Sequence, residues 1–162
     1  MMNTPINFLD LFEDNRIYIK REDMIPFSFG GNKARKAVRF MKEAKEKNAD
    51  CIVTYGSFSS NHCRIIANAA AQAGLRCYMI SPESEEVESF NSDLTALFGA
   101  VRVICPLDRV KETIDETLAQ LEKEGRRPYF IMGGGHGVPG TEAFVECYEE
   151  ICEYEKEQDI FF

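Results

Sequence analysis

The sequence predicts an α/β fold: an open parallel sheet of about four strands with helices on both faces, plus an N-terminal strand and a lysine-bearing helix. Three observations carry that prediction. Largely apolar runs of four or five residues recur at 51–55, 77–80, 101–105 and 129–132, too short for helices and rich in β-branched and aromatic residues. Stretches of helical periodicity lie between them, at about 61–73, 87–98 and 108–124. Each is followed by a glycine (Gly74, Gly99, Gly125) suited to the left-handed residue that ends a helix. Strands alternating with helices across short connections build a parallel sheet covered on both faces.

Taken in order, residues 1–15 hold Ile6, Phe8, Leu9, Leu11 and Phe12, an apolar cluster expected to pack down ahead of a first strand at 17–19. A charged turn and the Gly30-Gly31 pair then open a helix whose Ala34, Ala37, Val38, Met41 and Ala44 recur at helical spacing. The alanines of the 61–73 helix (Ala67, Ala69, Ala70, Ala71, Ala73) allow close approach to a neighbour. A final helix is expected at about 141–157. This divides the chain into an N-terminal segment 1–48, a Rossmann-like α/β domain 49–157, and a short apolar end 158–162. No self-similarity suggests a repeat architecture.

The 162 residues suffice for one ordinary domain. A formal charge of -8 argues against nucleic acid, because affinity for phosphate backbones needs a basic surface. No apolar run reaches the length of a membrane span, and Met1-Met2-Asn3-Thr4-Pro5 is no secretory leader. The expected location is the cytoplasm. Lys and Arg dominate residues 35–47 and Glu dominates 142–157, the latter expected to be a solvated helix face. Six cysteines without a C-x-x-C pair give no support to a metal site; Cys51, Cys77 and Cys105 fall in strand runs, as buried reduced thiols do.

Lys33 lies in the first turn of its helix, at the edge of the apolar stripe. The positive end of the helix dipole and the nearby Arg35, Lys36 and Arg39 both disfavour an ammonium there. An amine so placed is a nucleophile for aldehydes. On helix pattern alone the ordinary, solvated basic first turn is the favoured reading, because lysines flanking helices are common. Two further loops follow strands, 56–62 and 133–140, and hold both histidines, His62 and His136. Ligands of such sheets gather at the carboxyl ends of the strands. Ser57, Ser59, Ser60 and Asn61 offer hydroxyls and free amides to an anion, and are also good N-caps. The glycine-rich 133–140 loop fits neither a P-loop nor a dinucleotide fingerprint.

Lys20-Arg21-Glu22-Asp23 followed by Gly30-Gly31-Asn32-Lys33-x-Arg35-Lys36, and then Ser60-Asn61-His62-Cys63-Arg64, resembles the pyridoxal-phosphate enzymes typified by D-cysteine desulfhydrase and 1-aminocyclopropane-1-carboxylate deaminase, of fold type II. The resemblance implies pyridoxal 5'-phosphate as cofactor, carried by Lys33 as a Schiff base, with Asn61 also on the cofactor and Ser60, Asn61 and His62 on the carboxylate of a small amino acid. It implies a lyase or deaminase, with a racemase possible on the same parts. It covers about residues 15–157, the first half of the family, and residues 158–162 resemble the opening of the second. That implies a partner, either a second polypeptide carrying the C-terminal half or a homo-oligomer, in a split or truncated enzyme. The alternative is a non-catalytic α/β module that binds a small anion or a protein.

Overall fold

A computed structural model describes residues 3–83 and 89–162. Strands β3 (Cys51–Tyr55), β4 (Arg76–Pro82), β5 (Val101–Cys105) and β6 (Pro128–Ile131) form one parallel sheet in the order β5-β4-β3-β6. Helices α1 (Asn32–Glu46), α2 (Asn61–Gln72), α3 (Phe90–Leu97), α4 (Val110–Lys123) and α5 (Val138–Gln158) follow the expected alternation. The expected start of α3 at 87 lies outside the described residues; within them the helix is capped by the Ser89 hydroxyl, which accepts from the Ser92 amide.

Both faces of the sheet are covered. On one, Ala34, Ala37, Phe40 and Ala44 of α1 and Ile65, Ile66, Ala67, Ala69 and Ala70 of α2 close over Ile52, Tyr129 and Ile131. On the other, Ile114 and Leu121 of α4 pack on Cys51, Val53, Ile80 and Cys105. The core is therefore continuous across the division expected at 48/49. Small side chains allow this closeness, as anticipated for α2, although Ala71 and Ala73 face solvent.

Three expectations require correction. Residues 6–12 do not pack down: they form β1 (Ile6–Phe12), antiparallel to β2 (Asn15–Lys20), and Phe8, Leu9, Leu11 and Phe12 are exposed. In α1, Val38 is exposed while Arg35 and Phe40 are buried, so the buried stripe is rotated towards a charged residue. The acidic face of α5 is not wholly solvated, because Glu150 is buried against Arg35 and Lys20. At the end of α5 the chain turns back at Asp159, and the Phe162 ring lies edge-on to Tyr18, with centroids 5.0 Å apart.

Candidate active site

The chain runs from β3 to β4 and β5 on one side, then crosses back to place β6 on the other side of β3. The loops that leave β3 and β6 therefore diverge at a topological switch point, where open α/β sheets bind ligands. Thr54 joins the two strands there. Its hydroxyl donates to the Ile131 carbonyl at 2.8 Å and lies 2.9 Å from His62 Nε2. A hydroxyl has one proton, and a carbonyl can only accept, so Nε2 of His62 carries the hydrogen and donates to Thr54. Burial, followed by the charges of Lys33, Lys36 and His136, pushes the His62 pKa down to about 4. The ring is neutral at physiological pH.

The lysine helix begins from a fixed turn. The Glu22 carbonyl accepts from the Gly31 amide at 2.7 Å, and a Cβ on Gly30 would stand 2.5 Å from that carbonyl oxygen and 2.6 Å from the Asp23 one. Only glycine fits there, and its φ of 62° is in the glycine-favoured region. Lys33 is half-buried, and its amine donates to the Gly134 carbonyl at 2.8 Å, across from β6. Lys36 Nζ approaches the same oxygen at 3.4 Å. A Cβ on Gly134 would meet His136 Nε2 at 3.2 Å and Lys33 Nζ at 3.7 Å, so the amine and this imidazole flank one turn. The expected cationic crowd is smaller than the sequence suggests: Arg35 is turned into Glu22 and Glu150, and Arg39 onto Glu146, leaving Lys36 beside Lys33. Burial and the Lys33 charge both lower the Lys36 pKa.

Ser60 caps α2, its hydroxyl accepting from the Cys63 amide at 3.3 Å. Asn61 is exposed, and its Oδ1 accepts from Arg64 Nη2 and from Asn91 Nδ2, each at 3.1 Å. Arg64 in turn grips the Ser28 carbonyl and hydroxyl and lies 5.1 Å from the Phe29 ring. Asn91 and Ser89 hold the Ser59 and Phe58 carbonyls at 2.7 Å and 3.1 Å. The loop is thus wired to the segment before α1 on one side and to α3 on the other. Lys33 and His62 belong to one electrostatic cluster, whereas Ser60 and Asn61 lie on the loop where α2 begins.

Sequence reasoning assigned no role to Thr54, Arg64 or the Gly134 carbonyl. Thr54 and Arg64 did leave a signal: each is a polar residue inside an apolar run, and burying one requires a partner. Among the described residues no group of three or more His, Cys, Asp or Glu is placed to hold a metal ion, and no helix is long and apolar enough to cross a membrane.

The family described as pyridoxal-phosphate dependent enzyme matches residues 1–162. Among curated proteins, the chain is similar to the D-cysteine desulfhydrase of Serratia proteamaculans, 34% identical over 169 aligned residues that cover 98% of this chain and 51% of that protein. It is 35% identical to the D-cysteine desulfhydrase of Yersinia enterocolitica over 158 residues, 91% of this chain and 48% of that one. Among solved structures, an ACC deaminase homologue superposes with a TM-score of 0.81 at 30% identity, over 94% of this chain and 48% of that one. A cysteine synthase from Entamoeba histolytica shares the fold, with a TM-score of 0.70 at 20% identity over 96% of this chain and 47% of that one. The chain spans about half the length of the curated relatives it matches. With its sequence matched from end to end and its fold shared with a solved homologue, this chain belongs to the pyridoxal-phosphate dependent enzyme family.

Proposed function

We propose that the chain supplies the lysine-bearing half of a lyase or deaminase site acting on a small amino acid, of the D-cysteine desulfhydrase or ACC deaminase kind, with Lys33 as the residue that holds pyridoxal 5'-phosphate. The observation that carries this reading is the Lys33 amine, half-buried at the sheet's switch point and held by the Gly134 carbonyl. The residues fit the cofactor's chemistry. An amine meets its aldehyde, and the Lys36 ammonium beside it offers charge to an anionic group. When bound, the cofactor spreads into its pyridine ring the negative charge that develops on the amino acid. Lys33, once freed, sits where it can move a proton to or from the substrate. Ser60, Asn61 and the first-turn amides of α2 receive the carboxylate, because those amides lack partners within the helix. Asn61 also faces the cofactor in this reading, and His62 acts as a neutral donor that fixes the floor of the site through Thr54.

The rest of the site comes from a second polypeptide carrying the remaining half, or from assembly with a further copy. Two observations support this: the chain spans about half of its relatives' length, and Phe8, Leu9, Leu11 and Phe12 of β1 with Phe144, Val145 and Tyr148 of α5 expose apolar surface that a partner would cover. Six free thiols suit a reducing compartment such as the cytoplasm. The competing reading, a non-catalytic module for a small anion or a protein, draws on the same Ser60 and Asn61 loop and gives no role to the Lys33 amine held at the Gly134 carbonyl.

The test is borohydride reduction of the chain with added pyridoxal phosphate, alone and with a polypeptide carrying the second half, followed by peptide mapping. Reduced cofactor on Lys33, lost in Lys33→Ala, supports the enzyme reading. Cofactor on another lysine, or none in either condition, favours the module.

A further inference from the structure

We infer that Arg35 is a positioning residue for Lys33: the buried ion cluster around Arg35 sets the rotation of α1 that carries the Lys33 amine to the Gly134 carbonyl. The inference takes Lys33 as the reactive amine of the proposed function; its structural part stands on the cluster alone. Arg35 is 2% exposed. Its Nε and Nη2 donate to Glu22 at 2.5 Å and 2.8 Å, and its Nη1 and Nη2 donate to Glu150 at 2.7 Å and 2.9 Å. Lys20 Nζ adds a bond to Glu150 at 2.6 Å and one to the Thr4 hydroxyl at 2.8 Å, and that hydroxyl donates to Glu22 at 2.6 Å. Two cations and two carboxylates are thus balanced.

The partners come from different elements. Glu22 belongs to the turn whose carbonyl seats Gly31, Lys20 ends β2, Thr4 precedes β1, and Glu150 lies midway along α5. Lys33 and Arg35 are two residues apart on one helix, about 200° around its axis. Fixing the direction of one side chain therefore fixes the other. Helix α5 closes the loop. Four residues beyond Arg35, Arg39 meets Glu146, four residues before Glu150, so the two helices lie antiparallel in one register. At its start α5 presses Gly140 so close to the Gly135 carbonyl that no Cβ would fit between them, which holds the turn that offers the Gly134 oxygen. Apolar packing would tolerate several rotations of α1. A buried guanidinium forked between two carboxylates tolerates one.

The experiment is trace acetylation of the full chain without cofactor, with the rate at each lysine read by mass spectrometry relative to exposed Lys111. Glu150→Gln keeps the shape and removes the charge. Freed from one hydrogen bond to the Gly134 carbonyl, Lys33 is expected to label about fivefold faster, while Lys42 and Lys45 keep their rates. Leu121→Ala, which loosens the other face of the sheet, is the control that leaves the Lys33 ratio unchanged. If Glu150→Gln fails to unfold cooperatively, Thr4→Val decides, with a smaller rise in the same direction. An unchanged Lys33 rate in a folded cluster variant overturns the inference, as does an equal rise at every lysine. Failure of the proposed function looks different: the labelling shifts as expected, yet no cofactor is trapped on Lys33.

Discussion

His62 donates through Nε2 to the Thr54 hydroxyl, and that hydroxyl donates in turn to the Ile131 carbonyl, so one buried imidazole ties the start of α2 to the end of β6. A proton added at Nδ1 would leave that donor in place but put a positive charge in a buried ring near Lys33 and Lys36, which burial and those charges oppose. The unfolded ring takes up a proton below about pH 6.5, whereas the folded ring resists until about pH 4. Stability is therefore complete above pH 6.5 and falls as pH drops towards 4, by about 3 kcal/mol over that window. Glu22 and Glu150 add losses at lower pH: burial raises their pKa values, but hydrogen bonds led by Arg35 outweigh it and hold them below the usual range. Urea titrations at a series of pH values are expected to show the slope above the carboxylate range in the parent chain and not in His62→Gln. An unchanged slope in the variant would remove His62 as its source.

The turn before α1 yields a second expectation. Gly30→Ala places a methyl 2.5 Å from the Glu22 carbonyl oxygen on a backbone with φ of 62°. Strain of this kind costs about 1–3 kcal/mol, and the turn has no flexible side chain to give way. Gly74→Ala, at φ of 69° with open space around it, is the comparison, since it meets the backbone cost without the clash. Chemical denaturation is expected to rank Gly30→Ala well below Gly74→Ala. Equal losses would mean that the turn opens freely.

The cysteines separate into two classes by burial: Cys51, Cys63, Cys77 and Cys105 are buried, and Cys147 and Cys152 are not. Burial pushes the thiols of Cys51 and Cys63 up to about 11 and that of Cys77 up to about 12. A thiol so far from its thiolate is inert at neutral pH. Cys147 and Cys152 on α5 are half-buried. Ellman's reagent is expected to titrate no more than the α5 pair quickly in the native chain, with Cys51, Cys63 and Cys77 appearing only on unfolding. Fast reaction at any of those three would show that the sheet opens locally.

The sheet was legible in the sequence because buried parallel strands are written as near-continuous apolar runs, and 51–55 matches β3, buried along all but its last residue. The lysine motif and the two loops were legible because glycines and caps mark where strands end. What could not be read depends on contacts distant in the chain. Glu150 lies 115 residues from Arg35, and nothing local in an acidic helix distinguishes the one glutamate that turns inwards. The same holds for Lys33 and Gly134, 101 residues apart and joined only when β6 takes its place beside β3. Strand β1 escaped notice for the opposite reason: its apolar residues are exposed, against the rule that reads such residues as core, whereas the strand expected at 17–19 lies within β2.

Ser60 offers the sharpest separation of cap from site. As the N-cap of α2 its hydroxyl takes the Cys63 amide at 3.3 Å, and losing such a cap costs about 1 kcal/mol. In the proposed function the same hydroxyl also faces the substrate carboxylate. Ser60→Ala is therefore expected to lower stability by about that amount and to weaken amino-acid binding in the completed enzyme more than cofactor binding. Ser60→Gly, which costs a cap only a few tenths of a kcal/mol, recovers stability without recovering the carboxylate contact. Isothermal titration of both ligands against the two variants distinguishes the roles. Equal weakening of both ligands, restored by glycine, would leave Ser60 as a cap and nothing more, because only a hydroxyl that touches substrate can be missed by one ligand and not the other.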